Sequence, residues 1–205
     1  MADAKAVLEV SQALQSVLQS ELSVLAVPAG TVRIESIDLL PDPVAPPRIT
    51  IFLFNIHEDP FLKNRGGMVN GAGPGAATTT LPPTVLNLDY MICAWMSTTQ
   101  EEHLILGDVL RVLYDHSQID PAALGPTWQA DESVQVTLTN PTIEDQARIW
   151  TTFGFKRFKL ALYYKVRVVP IASRRSFADS TVGERNLGVA PFAPAASGEL
   201  PVGTV

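Results

Sequence analysis

From Val85 to Met96 the chain runs almost wholly apolar and is rich in β-forming residues. It breaks at Ser97-Thr98-Thr99 and then resumes with apolar residues at Leu106, Val109 and Leu113, in the three- and four-residue steps of a helix face. A buried strand that feeds a helix leaves few options. The strand needs layers on its faces, and the helix is the nearest candidate for one of them. Thr98 with Glu101, and Thr99 with Glu102, both fit the S/T-x-x-E capping box, so the helix is expected to start there. Gly107 lies inside it, where glycine costs about 1 kcal/mol relative to alanine. A glycine kept at that cost predicts close approach of another backbone.

The other elements follow from the same periodicities. Ala4 to Leu25 predicts an amphipathic helix with Val7, Val10, Leu14, Val17, Leu18, Leu22 and Leu25 on one stripe, Asp3 as N-cap, and Pro28 and Gly30 as the stop. Val32 and Ile34 alternate with polar residues, as in a strand with one wet face. ITIFLFNI, residues 49–56, is apolar on both faces, so it is either central under two layers or seated in a subunit contact. Val134, Val136 and Leu138 predict a half-buried strand after a loop over Pro121 to Pro126. Thr142 predicts an N-cap for a short helix with Ile143, Ala147 and Trp150 inward. Leu160, Leu162, Tyr164, Val166 and Val168 then alternate with Tyr163, Lys165 and Arg167, whose side is expected to meet water. The order α-β-β-loop-β-α-β-α-β predicts one α/β (α+β) domain over residues 1–172, a mixed β-sheet flanked by helices. Two segments fall outside it. The Gly/Pro-rich stretch 61–84 reads as a flexible loop, and 173–205, rich in Ala, Pro, Gly and Ser, as an extended or disordered tail.

Composition narrows the function. The 205 residues carry 18% charged side chains and a net charge of -6, which argues against a nucleic-acid binder working on phosphates. Sparse charge suits a subunit that buries its outside against neighbours. Cys93 is the single cysteine, so no intrachain disulfide can form, in keeping with a reducing compartment. MADAKAVLEV lacks the basic and apolar regions of a signal peptide, and no apolar run approaches the ~18 residues of a membrane span. Folding in the cytoplasm is the expectation.

The residues that could carry chemistry read better as structure. Gly71, Gly73 and Gly75 superficially follow a phosphate-loop spacing, but they precede a strand, lack a Lys-Ser/Thr, and Pro74 removes a donor. His57, His103 and His116 have no metal-ligand spacing. His57-Glu58-Asp59-Pro60 could hold an acid/base pair, as in a small hydrolase, but charge and proline also simply end a strand. Asp115-His116 suits a helix C-terminus, and Cys93 lies mid-strand with no activator beside it. No catalytic residue, cofactor or metal is expected. Lys156, Arg157, Lys159, Lys165, Arg167, Arg174 and Arg175 cluster in sequence with no acid among them, so they form either a solvated face or a basic patch for an acidic protein surface.

Four segments in order, ITIFLFNIHEDPFLKN, LNLDYMICAW, LILGDVLRVLYDH, and the block from VQVTL through IEDQARIWTTFG to LALYYKVRVV, carry a resemblance. Together they resemble the N-terminal domain of the cap, or tail-terminator, proteins of phage-tail-like contractile injection systems. The likeness covers roughly residues 3 to 172. Its most specific parts are the L-x-L-x-Y strand and the L-G-x-x-L-R-x-L-x-D-H helix. It implies a tail-terminator-like fold and a homo-oligomer, a six-fold ring that ends the inner tube and sheath at the end distal to the baseplate. It implies tube and sheath proteins as partners, no nucleic acid, no membrane insertion, no catalysis and no cofactor. Location would be the bacterial cytoplasm during assembly, then the particle. Phe61 in the loop, Phe177 and Phe192 in the tail, and the seven basic residues above are the candidate interface. A cytosolic binding module or hydrolase without a particle is the alternative.

Overall fold

A computed structural model describes residues 4–22, 30–42, 44–62, 66, 68–70, 78–154 and 156–178. The elements in order are α1 (Ala6–Glu21), β1 (Val32–Ile34), β2 (Arg48–Glu58), β3 (Met68–Asn70), β4 (Thr78–Thr80), β5 (Thr84–Trp95), α2 (Thr99–Asp115), β6 (Gln118–Ile119), α3 (Pro121–Leu124), β7 (Val134–Thr139), α4 (Ile143–Thr151), β8 (Ala161–Ile171) and β9 (Ser176–Ala178). The main sheet has the order β1-β2-β5-β8-β7-β6, with β1 parallel to β2 and every other pair antiparallel. The expected mixed sheet with flanking helices is therefore present.

Alternation along β5 divides the protein into two cores. Leu88, Tyr90, Ile92 and Ala94 point to a large core with α1 and α2, while Met91 and Cys93 point to a smaller one with Ile37, Leu40, Trp150, Ala161 and Tyr163. β2 splits the same way, Ile49 and Ile51 to the first and Phe52 and Phe54 to the second. This explains its two-sided apolarity without a subunit contact. A buried hydrogen bond of 2.8 Å between Ser11 Oγ and Tyr90 Oη ties α1 to the centre of the sheet.

Several expectations fail for physical reasons. The Thr98 box forms, with both reciprocal bonds present, whereas Glu102 turns away to accept from the Met96 amide at 3.3 Å and to pair with Lys159. α1 starts at Lys5 without a side-chain cap, and Asp3 lies outside the described residues. Ile143 and Ala147 of α4 are exposed, because that helix docks by its last turn, through Ile149, Trp150 and then Phe153. Its Thr142 cap does form, with the hydroxyl accepting from the Asp145 amide at 3.2 Å. Pro121 to Leu124 is a short helix and not a loop. Tyr163, expected to be wet, is buried beneath the smaller core's cover and meets Phe54 edge-on at 6.1 Å. Leu160 precedes β8 and is half exposed.

Beyond Val166 the alternation of β8 slips. Leu88 pairs with Val166 but Leu86 with Val169, so Arg167 and Val168 together oppose Asn87 in a bulge. Val168 takes a φ of 65°, rare for a β-branched residue. The inward position thus passes from Val168 to Val169, which is fully buried.

No close approach exists at Gly107: a Cβ built there meets nothing within 4 Å. Gly107→Ala should therefore raise stability by about 1 kcal/mol, read as a higher urea midpoint. A lowered midpoint would restore the close-packing idea.

The described residues of the stretch 61–84 and of the start of the tail include three short strands. β3, β4 and β9 form a small antiparallel sheet, with Thr79 opposite Phe177. A strand from the glycine-rich stretch thereby holds a strand from the tail, a pairing across nearly 100 residues that no local pattern announces. Gly71, Gly73, Gly75 and Phe192 lie outside the described residues, as does everything after 178.

Candidate assembly surfaces

The seven basic residues do not form one patch. β8 has 11 residues, so it spans roughly 35 Å and holds its flanking cations far apart. At its entry, Lys156, Arg157 and Lys159 line a cleft of about 460 Å³ together with Pro41, Trp95 and Glu102. Lys156 Nζ donates to the Leu40 carbonyl, and Lys159 pairs with Glu102 while its ammonium lies 4.8 Å from the centre of the Trp95 ring. In mid-strand, Lys165 sits 3.7 Å from Asp89 and Arg167 3.9 Å from Asp59. Past the strand's end, Arg174 and Arg175 are exposed, and Arg175 stacks 5.8 Å from the Phe177 ring. The expected patch lacked acids only in sequence. β5, α2 and the turn after β2 supply them in space, leaving Arg157, Arg174 and Arg175 as its outward-facing members.

The acids and amides around mid-strand make a polar band across the sheet. Asn55 donates to Asp89 at 2.9 Å, His57 Nδ1 lies 3.4 Å from the same carboxylate, and Asp89 stands opposite Lys165. Asp59 is buried and accepts from the Phe61 amide at 2.9 Å and from Asn87 Nδ2 at 3.2 Å. The Phe61 amide, more than the other donors or Arg167, holds its carboxyl below the usual range against the opposing pull of burial. A carboxylate kept ionised and turned into its own chain has no proton to donate at neutral pH. Asp59 therefore locks the turn after β2, while His57 bonds a different partner.

The remaining chemical candidates are equally quiet. The Cys93 thiol is fully buried, which pushes its pKa up to about 12 and leaves it protonated. Asp115 lies 3.9 Å from Arg111, and His116 is the C-cap of α2. Among the described residues no group of three His, Cys, Asp or Glu could hold a metal, and no helix is long and apolar enough to cross a membrane.

Exposed apolar surface is more informative. Phe61 is 87% exposed and Phe177 47%. A groove the sequence reading missed, of about 600 Å³, runs between α2 and β7 and is lined by Leu110, Leu113, Tyr114, Val136, Leu138 and Tyr164. Tyr114 is 82% exposed at its rim. The available signal was an aromatic lying off the buried stripe of Leu106, Val109 and Leu113.

Residues 9–183 match the family described as the Pvc16 N-terminal domain. Among solved structures, the chain resembles the PVC sheath/tube terminator of an extracellular contractile injection system in its extended state. That match has a TM-score of 0.62 and 18% identity, and covers 100% of this chain and 66% of the other. It also resembles the anti-feeding prophage cap, a tube-terminating cap, with a TM-score of 0.62 and 25% identity over 90% of this chain and 63% of the other. The chain thus spans about two thirds of the length of those proteins. No curated protein sequence matches at a significant level.

Proposed function

We propose that this chain, which belongs to the Pvc16 N-terminal domain family, is a structural cap subunit that ends the tube of a contractile injection particle. The observation that carries the reading is the likeness to a tube-terminating cap over 90% of the chain. The surfaces agree with it. Asp59, Asp89 and Glu102 are held in a turn and in ion pairs, while Phe61, Tyr114 and Phe177 face outward. The subunit works by assembly: several copies close into a ring, a hexamer in our reading, through heterologous contacts. The ring sits on the last layer of tube at the end distal to the baseplate and engages the sheath. It is built in the bacterial cytoplasm and leaves as part of the particle. Phe61, Arg157, Arg174, Arg175 and Phe177 are the residues offered to neighbours, with Lys156, Lys159, Lys165 and Arg167 shaping the surface from within their ion pairs and hydrogen bonds.

Electron microscopy of particles from cells lacking this gene tests the proposal. Tubes and sheaths should lose their fixed length. Particles of normal, uniform length would sink it.

A further inference from the structure

We propose that the first turn of α4 in one copy docks into the cleft at the entry of β8 in the next copy, with Glu144 paired to Arg157 and Ile143 against the cleft's apolar wall. This inference rests on the ring reading above and names a contact between neighbouring subunits.

The cleft favours an acidic occupant. Its lining holds the cations Lys156, Arg157 and Lys159 and the acids Asp42 and Glu102. Glu102 is taken up by Lys159. Lys156 donates to the Leu40 carbonyl, a neutral group, and Arg157 is exposed and forms no ion pair among the described residues. Two cations without a carboxylate partner thus stand against one remaining acid, Asp42. Apolar side chains supply much of the rest, among them Trp95, Phe158 and Leu160, the last two 54% and 53% exposed. The volume of about 460 Å³ lies within the about 300–1,000 Å³ of ordinary binding clefts. A fitting occupant brings a carboxylate beside an apolar side chain.

The chain carries that combination at the start of α4. Ile143 is 63% exposed, and Glu144 and Asp145 are exposed beside it. Asp145 is already engaged, accepting from the Thr142 hydroxyl at 2.9 Å and lying 4.0 Å from Arg148. Glu144 forms no ion pair among the described residues. At about 100° per residue, Ile143, Ala147 and Glu144 share one exposed face of the helix. The fold itself makes no use of that face, because α4 buries only Trp150.

One copy cannot close this contact on itself. α4 crosses the sheet from the end of β7, where Gln146 donates to the Pro141 carbonyl at 3.1 Å, to β2, where Phe153 meets Phe52 at 5.5 Å. Its first turn lies on the β7 side. The cleft takes Pro41, Asp42 and Val44 from the connection between β1 and β2, and so lies toward the far end of the helix. Nine helical residues, roughly 13 Å, separate the two. Donor and acceptor are different parts of the chain, so the contact is head-to-tail, the kind that closes a ring. One ion pair and one aliphatic side chain fall short of the about 800 Å² per partner of a stable interface, so this contact sets orientation within a larger one.

Charge reversal tests it, with full chains followed by analytical ultracentrifugation at low salt, where exposed charges are least screened. Glu144→Arg and Arg157→Glu should each raise the dissociation constant of the assembly roughly tenfold, because like charges then meet. Ile143→Ala should raise it about fivefold through lost apolar burial. All three side chains are exposed, so each variant should melt as the unaltered chain does. Chains carrying both charge reversals should assemble normally, as should an equimolar mixture of the two single reversals, since opposite charges meet again at every contact. Weakened single variants without that recovery would put Glu144 and Arg157 in separate contacts and overturn the inference. Single variants that assemble normally overturn this contact and leave the ring standing. A chain that stays monomeric at high concentration overturns both.

Discussion

Trp150→Ala should cost about 3–5 kcal/mol, the usual loss for emptying a large aromatic from a packed site. Trp150 is the one buried residue of α4, with 4% of its surface exposed. Its ring meets Phe153 at 5.7 Å and Phe158 at 5.8 Å, and it covers Met91, Cys93 and Tyr163 in the smaller core. That core is thin. Among the described residues it holds seven buried ones, and its outer layer is a short helix and the segment around Ile37 and Leu40. Few neighbours can collapse into the cavity, so the loss should sit at the upper end of the range. At roughly 2–4 °C per kcal/mol for a domain of this size, the melting temperature should fall by about 6–20 °C. Ile143→Ala, on the same helix but at a side chain 63% exposed, should stay within about 0.5 kcal/mol. Thermal unfolding of both variants decides it. Equal, small shifts would mean that α4 does not close the second face.

That contrast within α4 shows what was legible in the sequence. Long periodic stretches could be read: α1, the strand-to-helix unit of β5 and α2, the Thr98 and Thr142 caps, and the mixed sheet that follows from their order. Each depends on neighbours within a few residues. Several of the failures depend on distant partners. Ile143 and Ala147 share a face with Trp150 by spacing, but only the last turn of α4 reaches the sheet. Tyr163 alternates as a wet residue, yet Trp150 and Phe54 arrive to bury it. Val168 and Val169 exchange places because a bulge adds one residue to β8, and two adjacent valines give no sign of which is extra. The basic residues looked unpaired because Asp59, Asp89 and Glu102 lie far away in sequence. The candidate surface suffers most from this. A cleft is defined by the segments that meet at it, and Pro41, Trp95 and Lys156 lie far apart in the chain. The family likeness was legible because its most specific parts are β5 and α2, whose patterns depend on residues close in sequence.

Base should unfold this protein sooner than a domain with fewer buried acids. Cys93 and Tyr90 are both neutral in the fold, and burial is the first cause in each: the thiol is pushed up from 9.0 to about 12 and the phenol from 10.0 to about 12. The Lys159 charge pulls Cys93 the other way, as the Ser11 hydrogen bond does Tyr90, but neither offsets burial. A folded pKa above the unfolded one leaves stability untouched below the unfolded value and removes it as pH climbs through the gap. The unfolded chain releases its thiol proton from about pH 9 and its phenol proton from about pH 10, while the native protein holds both until about pH 12. Each group removes about 1.4 kcal/mol per pH unit, so the two together should cost about 4 kcal/mol by pH 11. Tyr164, raised to about 12 by burial as well, adds in the same direction. Against a typical stability of about 5–15 kcal/mol, that is a large share. Urea unfolding from pH 8 to 11 should show the decline, with two separable limbs. Cys93→Ala should remove the part that starts near pH 9. Tyr90→Phe should lessen the part above 10, leaving the share of Tyr164, while Ser11 keeps its 3.0 Å bond to the Val7 carbonyl. Unchanged stability across that range would mean that water reaches these groups, and that the two cores divided by β5 are less closed than their packing implies.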